Sequence, residues 1–313
     1  LKNLKCRRCG KRAVIDIKAH HTAFCRDCFI LYVHRQVRRA IAEYRMFSRE
    51  DKILVCVSGG KDSLALWDIL LSLGYECHGL HLDLGIDGYS ERSRMKAVEF
   101  AQKRGCTLRV ISMEEMGIPV PKLAKKSRRP ECSVCGTVKR HFFNKAALEG
   151  GYKVVATGHN LDDEAARLLG NILHWQWEYL AKQRPVLPPV GDLLVRKVEP
   201  LCRLSERESA AYAILTGIDY ILEECPMSKG ATSIRYKHAL NILEDSMPGT
   251  KMSFYTGFIK NLPRLSRAWE DLHGAIGEDS GGSFSRCSEC GSASFTDPCN
   301  FCRLTIESGL RPR

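Results

Sequence analysis

The stretch Val57-Ser58-Gly59-Gly60-Lys61-Asp62-Ser63 limits the possible folds more than any other. It stands between an apolar run, Ile53-Leu54-Val55-Cys56, and a helical pattern from Leu64 to Leu70. That order reads as a strand, a tight glycine turn and a helix N-terminus. Two adjacent glycines let the backbone turn its N–H groups inward, and the helix dipole with the Ser58 and Ser63 hydroxyls completes a site suited to phosphate. Lys61 adds a mobile cation. The spacing is not that of a Walker A loop, whose first glycine would fall at Val55.

From residue 52 onward, short apolar segments alternate with amphipathic ones. Strands are expected at 52–57, 77–83, 107–112 and 152–157, and helices at 63–73, 91–104, 137–149 and 161–174. Such alternation predicts an α/β fold with a doubly wound parallel sheet, whose ligands bind beyond the carboxyl ends of the strands. The strand ends to inspect are then Ser58 to Ser63, Leu82 to Ile86, and Thr157-Gly158-His159-Asn160-Leu161-Asp162-Asp163-Glu164. Asp162 and Asp163 open a helix, and for one of them capping alone is a sufficient reading. Residues 193–275 read as helices with one short strand, including 205–216 and 233–247.

The chain holds 15 cysteines in 313 residues, which suggests a disulfide scaffold only until they are placed. Cys6-x2-Cys9 and Cys25-x2-Cys28 are separated by fifteen residues, and Cys287-x2-Cys290 and Cys299-x2-Cys302 by eight. Both spacings are those of four-thiolate zinc sites, with paired disulfides as the competing reading. A Gly/Ser linker, Gly277 to Ser285, leads to the second unit, and a basic tail, Arg311-Pro312-Arg313, follows it. In the middle, a basic run from Lys122 to Pro130 enters Cys132-x2-Cys135, and Cys225 stands far downstream. Three thiolates leave a coordination position open or point to redox or persulfide chemistry; a C-x2-C that merely begins a helix is the alternative. Lys139 lies one helical turn beyond Cys135, on the same face.

No 18-residue apolar run and no signal-like N-terminus is present, so a cytoplasmic protein is expected; numbering from Leu1 leaves room for a preceding residue or more. The formal charge of +12 fits a polyanionic partner, or simply a basic soluble surface. The basic stretch His34 to Arg45 either touches RNA phosphates or is a solvated helix face.

Ser58-Gly59-Gly60-Lys61-Asp62-Ser63 resembles the pyrophosphate loop (PP-loop) of the N-type ATP pyrophosphatases, which cleave ATP between the α and β phosphates. Together with the terminal cysteine units, Cys132-x2-Cys135, Lys139, Gly158 to Asp163 and Cys225, the chain resembles the tRNA 2-thiolation enzymes over nearly its whole length. The branch it is most similar to is the tRNA-5-methyluridine 2-sulfurtransferases acting on position 54, on the strength of Gly79 to Ile86 and Ser205-Glu206-Arg207-Glu208. The resemblance implies a five-stranded parallel sheet flanked by zinc fingers, with divisions at 1–33, 34–50, 51–276 and 277–313. It implies ATP held by Cys56, Ser58, Gly59, Gly60, Lys61, Asp62, Ser63, Leu82, Lys139, Gly158 and Asp163, with Mg2+ carried by Asp62 or Asp163. It further implies a [4Fe–4S] cluster on Cys132, Cys135 and Cys225 whose free iron handles sulfur, and two structural Zn2+ ions. The uridine C2 oxygen would be adenylated, making AMP the leaving group when sulfur attacks. Expected partners are tRNA, gripped in part by the zinc modules, a ubiquitin-like sulfur carrier with a C-terminal thiocarboxylate, and a second copy of the chain; no membrane is expected. The competing functions are a wobble-uridine 34 thiolase, a cluster-free enzyme using Cys132 or Cys135 with Cys225 as a persulfide pair, and a non-enzymatic zinc-ribbon RNA-binding protein.

Overall fold

A computed structural model describes residues 4–273 and 284–312. The N-terminal module pairs β1 (Ile15–Ile17) with β2 (Thr22–Phe24) in antiparallel fashion, and α1 (Arg26–Glu43) follows. Cys28 lies in the first turn of α1, so the helix starts inside the four-cysteine unit and continues through the basic stretch. One face of α1 is apolar at helical spacing, and Phe29, Val33, Val37, Ala40 and Ile41 on it are buried. The opposite side keeps Arg35 and Arg38, so the helix is both a packed element and a cationic surface.

Next come β3 (Ile53–Cys56), α2 (Lys61–Ser72), β4 (Cys77–Asp83), α3 (Tyr89–Arg104), β5 (Leu108–Ser112), α4 (Val120–Lys126), α5 (Glu131–Glu149) and β6 (Val154–Thr157). They are followed by α6 (Leu161–Leu173), α7 (Trp177–Lys182), β7 (Val186–Leu187), β8 (Arg196–Val198), α8 (Glu206–Thr216), α9 (Thr232–Ser246) and α10 (Thr250–His273). The sheet order is β5-β4-β3-β6-β8-β7, with the first five strands parallel. The expected five-stranded parallel sheet is therefore present, with β7 added antiparallel on its edge. Pro185 and Pro188 bracket β7, and their missing N–H groups keep it short. All four residues of β3 and of β6 are buried, as strands covered on both faces must be. Each fully buried Leu, Ile or Val there contributes about 1.5–3 kcal/mol.

The winding reverses between β3 and β6, which lie side by side with Cys56 opposite Thr157. The turn after β3 and the turn after β6 thus open into one crevice at the strand ends. The C-terminal module, β9 (Ser285–Arg286), β10 (Ala293–Ser294) and α11 (Asn300–Ser308), docks on α4 and α5. Phe301 stacks on His141 with ring centroids 3.9 Å apart, and Lys126 Nζ donates to the Ser308 carbonyl at 2.7 Å. The expected linker from Gly277 falls outside the described residues as far as 283, as does Arg313. Among the described residues, no helix is long and apolar enough to cross a membrane.

Candidate active site

The turn after β3 is held by its own side chains. The Ser58 N–H donates to Ser63 Oγ at 3.0 Å, and Ser63 Oγ donates to the Gly60 carbonyl at 3.0 Å. Gly59 has φ +77°, and a Cβ there would meet the Ser93 carbonyl oxygen at 2.3 Å. Only glycine fits. Gly158, after β6, is needed for a different reason: its Cβ would lie 2.9 Å from Ser63 N and Cα, at the N-terminal turn of α2. The two turns are therefore packed backbone to backbone. A cavity of ≈ 300 Å³ opens beside them, lined by the loop residues Ser58, Gly60, Asp62 and Ser63 and by Cys56, Leu82, Gly158, Lys139 and Cys225. Burial pushes the Cys56 thiol up, so it lines this space as an uncharged group.

Several expected residues take positions the sequence could not specify. Lys61 Nζ is bound by Asp62 Oδ2 at 3.0 Å and by Glu206 Oε1 at 2.8 Å. Burial alone would lower its pKa, but the two carboxylates outweigh this and raise it. The Asp62 carboxyl is raised, chiefly by burial and also by the nearby Asp163, against the pull of Lys61. Asn160 caps α6: its Oδ1 accepts from the N–H groups of Asp162 and Asp163, and its Nδ2 donates to Asp62 Oδ1 at 3.1 Å. Asp163 closes the capping box, accepting from the Asn160 N–H at 3.0 Å, while its other oxygen meets Lys237 Nζ at 2.6 Å. Asp162 is buried, pairs with Lys251 of α10 and accepts from the Glu206 N–H at 2.9 Å. Capping thus falls to Asp163, which lines a neighbouring groove with His159 and Lys237 rather than the cavity itself, and Asp162 ties three helices together.

Four residues of this site were not singled out from the sequence. Glu206 was noted only as part of a run; burial would raise its pKa, but Lys61 and Lys237 hold it at about 2. Lys237 gave no local signal at all. His81 lines the cavity with Nδ1 2.9 Å from the Val57 carbonyl, its pKa lowered by burial, and Tyr89 lines it as well. β4 is buried on both faces, so the pattern of its residues does not mark His81 as a cavity residue.

The three central cysteines converge beside this cavity. Cys132 and Cys135 lie in the first turns of α5, and Cys225 precedes a 3-10 turn, Pro226–Ser228, that packs on α5. Cys132 Sγ donates to the Met227 carbonyl at 3.3 Å. Burial raises the Cys132 thiol, with Cys135 and Cys225 adding to the shift and Lys139 opposing it, which is the electrostatics of a grouped set. Arg129, from the basic run, is pinned to α5 by Ser133 and Thr137 at 3.0 and 2.8 Å.

Among the described residues, the metal-ligand atoms within 4.8 Å of one another form two groups: Cys6, Cys9, Cys25, Cys28 and Cys287, Cys290, Cys299, Cys302. All eight thiols are free of disulfides. Each group can close on one ion. Backbone N–H groups overcome burial to bring Cys6 to about 6 and Cys287 to about 7, so both favour the thiolate a metal needs. The central trio forms no such close group.

A family model described as a PP-loop domain matches residues 31–174, and one described as the N-terminal LIM domain of 2-thiouridine synthetase TtuA matches residues 5–30. A tRNA-5-methyluridine(54) 2-sulfurtransferase of Thermus thermophilus is 46% identical over 96% of this chain and 90% of its own. The chain belongs to the tRNA-5-methyluridine(54) 2-sulfurtransferase family. A family member from Pyrococcus horikoshii is 41% identical over 96% of this chain and 93% of its own. These relatives are transferases. Among solved structures, a U34-tRNA thiolase NcsA from Methanococcus maripaludis with its [4Fe–4S] cluster superposes with a TM-score of 0.74 at 26% identity, covering 83% of this chain and 89% of that one.

Proposed function

We propose that this 2-sulfurtransferase family member uses ATP to replace the C2 oxygen of 5-methyluridine 54 of tRNA with sulfur. The observation that carries the reading is one cavity lined at once by the phosphate loop, by Lys139 and by Cys225. Phosphate binding and sulfur handling meet there.

The uridine O2 attacks the α-phosphorus of ATP and pyrophosphate leaves. Hydrosulfide, released by hydrolysis of a carrier thiocarboxylate, then attacks C2; AMP leaves with the oxygen and a proton is lost. The loop N–H groups and Lys61 bind the polyphosphate, and Lys139 neutralises charge that grows on the α-phosphate. Asp62 and Asp163, at the openings of α2 and α6, would hold Mg2+. Cys132, Cys135 and Cys225 would hold the [4Fe–4S] cluster, which when bound supplies an open iron for sulfur. The two four-cysteine groups would hold Zn2+, closed and structural.

Arg7, Arg8, Arg35 and Arg38 surround a groove of ≈ 430 Å³ on the N-terminal module, a cationic surface suited to tRNA phosphates. The reading also includes the ubiquitin-like carrier, a homodimer, a cytoplasmic location and the division 1–33, 34–50, 51–276 and 277–313. The test is anaerobic incubation of reconstituted protein with unmodified-at-C2 tRNA, ATP, Mg2+ and sulfide, followed by nucleoside mass spectrometry. The expected product is 2-thio-5-methyluridine with AMP in equal amount. Thiolation at the wobble uridine instead would move the substrate, and no thionucleoside would overturn the reading.

A further inference from the structure

Glu206 holds two lysines from distant parts of the chain, one on each carboxylate oxygen. Oε1 meets Lys61 of α2 at 2.8 Å, and Oε2 meets Lys237 of α9 at 3.1 Å. Each lysine has a second carboxylate, Asp62 at 3.0 Å for Lys61 and Asp163 at 2.6 Å for Lys237. The five groups form a chain, Asp62-Lys61-Glu206-Lys237-Asp163, across the crevice between the openings of α2 and α6. The arrangement is symmetric about Glu206, and Lys61 already has a role in it as the cation of the phosphate loop.

The placement of Lys237 is not that of a buried structural pair. Its side chain is 24% exposed, Lys61 is 22% exposed and Glu206 37%. All three are mostly buried but keep an edge open to water, so an incoming anion can reach the ammonium groups. Lys237 and Asp163 also line a groove of ≈ 580 Å³ with His159, and His159 in turn lines the nucleotide cavity. The two spaces share His159, and the α9 lysine lines the second of them.

We infer that Lys237 is a second polyphosphate-binding cation of the ATP site, held in reserve by Glu206 until nucleotide displaces that carboxylate. The inference rests on reading the cavity as a nucleotide site. Three carboxylates share two ammonium groups in this chain, so both lysines are neutralised until another anion competes for them. Turning both ammonium groups from Glu206 to the β- and γ-phosphates exchanges one shared carboxylate for a more highly charged polyphosphate, and frees Asp62 and Asp163 for Mg2+. Lys139 lines the cavity with Cys225, whereas Lys237 lines the neighbouring groove, so the two roles are divided in space.

Calorimetric titration of the intact protein with ATP, pyrophosphate and AMP, all with Mg2+, tests this. Lys237→Ala is expected to weaken ATP and pyrophosphate by about ten- to hundredfold, the size of a lost contact to a charged group, and to leave AMP nearly unchanged. Lys237→Arg should restore most of the affinity, and Glu206→Gln should bind ATP at least as tightly as the unaltered protein. If Lys237→Ala melts early, Lys237→Met, which keeps the stem, carries the measurement. Unchanged ATP affinity in a folded Lys237 variant overturns the inference while the nucleotide reading stands. Equal weakening of AMP overturns it too, because a structural lysine would do that. Loss of ATP binding in Glu206→Gln would assign Glu206 to the metal and remove the exchange. An unaltered protein that binds no ATP removes the nucleotide site and the inference with it.

Discussion

The ends and the middle of this chain use the same pair, Cys-x2-Cys, to opposite effect. At each end two pairs bring four sulfur atoms within 4.8 Å of one another, with backbone N–H groups aimed at them. In the middle one pair and the lone Cys225 converge less closely beside an open cavity. A closed shell of four ligands suits structure, and three ligands next to space suit chemistry. The difference lies in the supply of the fourth ligand and in what surrounds the set, not in the motif.

Cys225→Ala gives the largest effect expected: tRNA thiolation is abolished, while circular dichroism and melting stay near those of the unaltered protein. Cys287→Ala should do the reverse and lower the melting temperature, since it opens a structural shell. A Cys225 variant that unfolds, or a Cys287 variant that is stable, folded and chemically dead, would erase the contrast.

The contrast is sharpened by where the C-terminal module rests. Phe301, between two of its cysteines, is 4% exposed and packs on His141 and Phe142 of α5, the helix that carries Cys132, Cys135 and Lys139. Phe301→Ala should cost about 3 kcal/mol in denaturant unfolding, within the range for deleting a buried aromatic ring. A value near zero would mean that the module merely hangs beside α5.

The same contact has a pH signature. Burial lowers His141 from 6.5 to about 4, with Lys145 adding to the shift, so the folded state keeps it neutral where the unfolded chain takes up a proton. The stability it contributes is whole above pH 6.5 and is lost as pH falls from there toward 4, with a limiting slope of about 1.4 kcal/mol per pH unit. His141→Gln should flatten unfolding curves over that window, and an unaltered slope would remove the assignment. The smallest effect belongs to the N-terminal module, where Tyr32 Oη donates to Glu208 Oε1 at 2.8 Å. Tyr32→Phe should destabilise by about 1 kcal/mol or somewhat more, as for a buried hydrogen bond to a carboxylate. No change in chemical denaturation would show that α1 is anchored by its apolar face alone.

Much of this was legible in the chain itself. Strands β3 to β6 and helices α2, α3, α5 and α6 followed from local periodicity, though the short α4 did not, and the glycine turn and the paired cysteines followed from spacing, because each depends on residues near one another in sequence. Even Lys139 could be placed on the face of Cys135 by helical repeat. The edge strand β7, only two residues long between prolines, carried too little pattern to be read. The ion chain at the crevice was invisible for another reason. Glu206 lies 145 residues from Lys61 and 31 from Lys237, and neither residue is unusual in its own helix. The sequence by itself determined the main strands and helices of the sheet, the phosphate loop and the number of thiols in each set. Tertiary structure alone decided that Cys225 reaches the same cavity as Lys139, that the last module braces α5, and that Lys237 meets Asp163. Such contacts depend on sheet order and helix packing, which join distant segments through buried apolar faces and leave no trace in the local pattern.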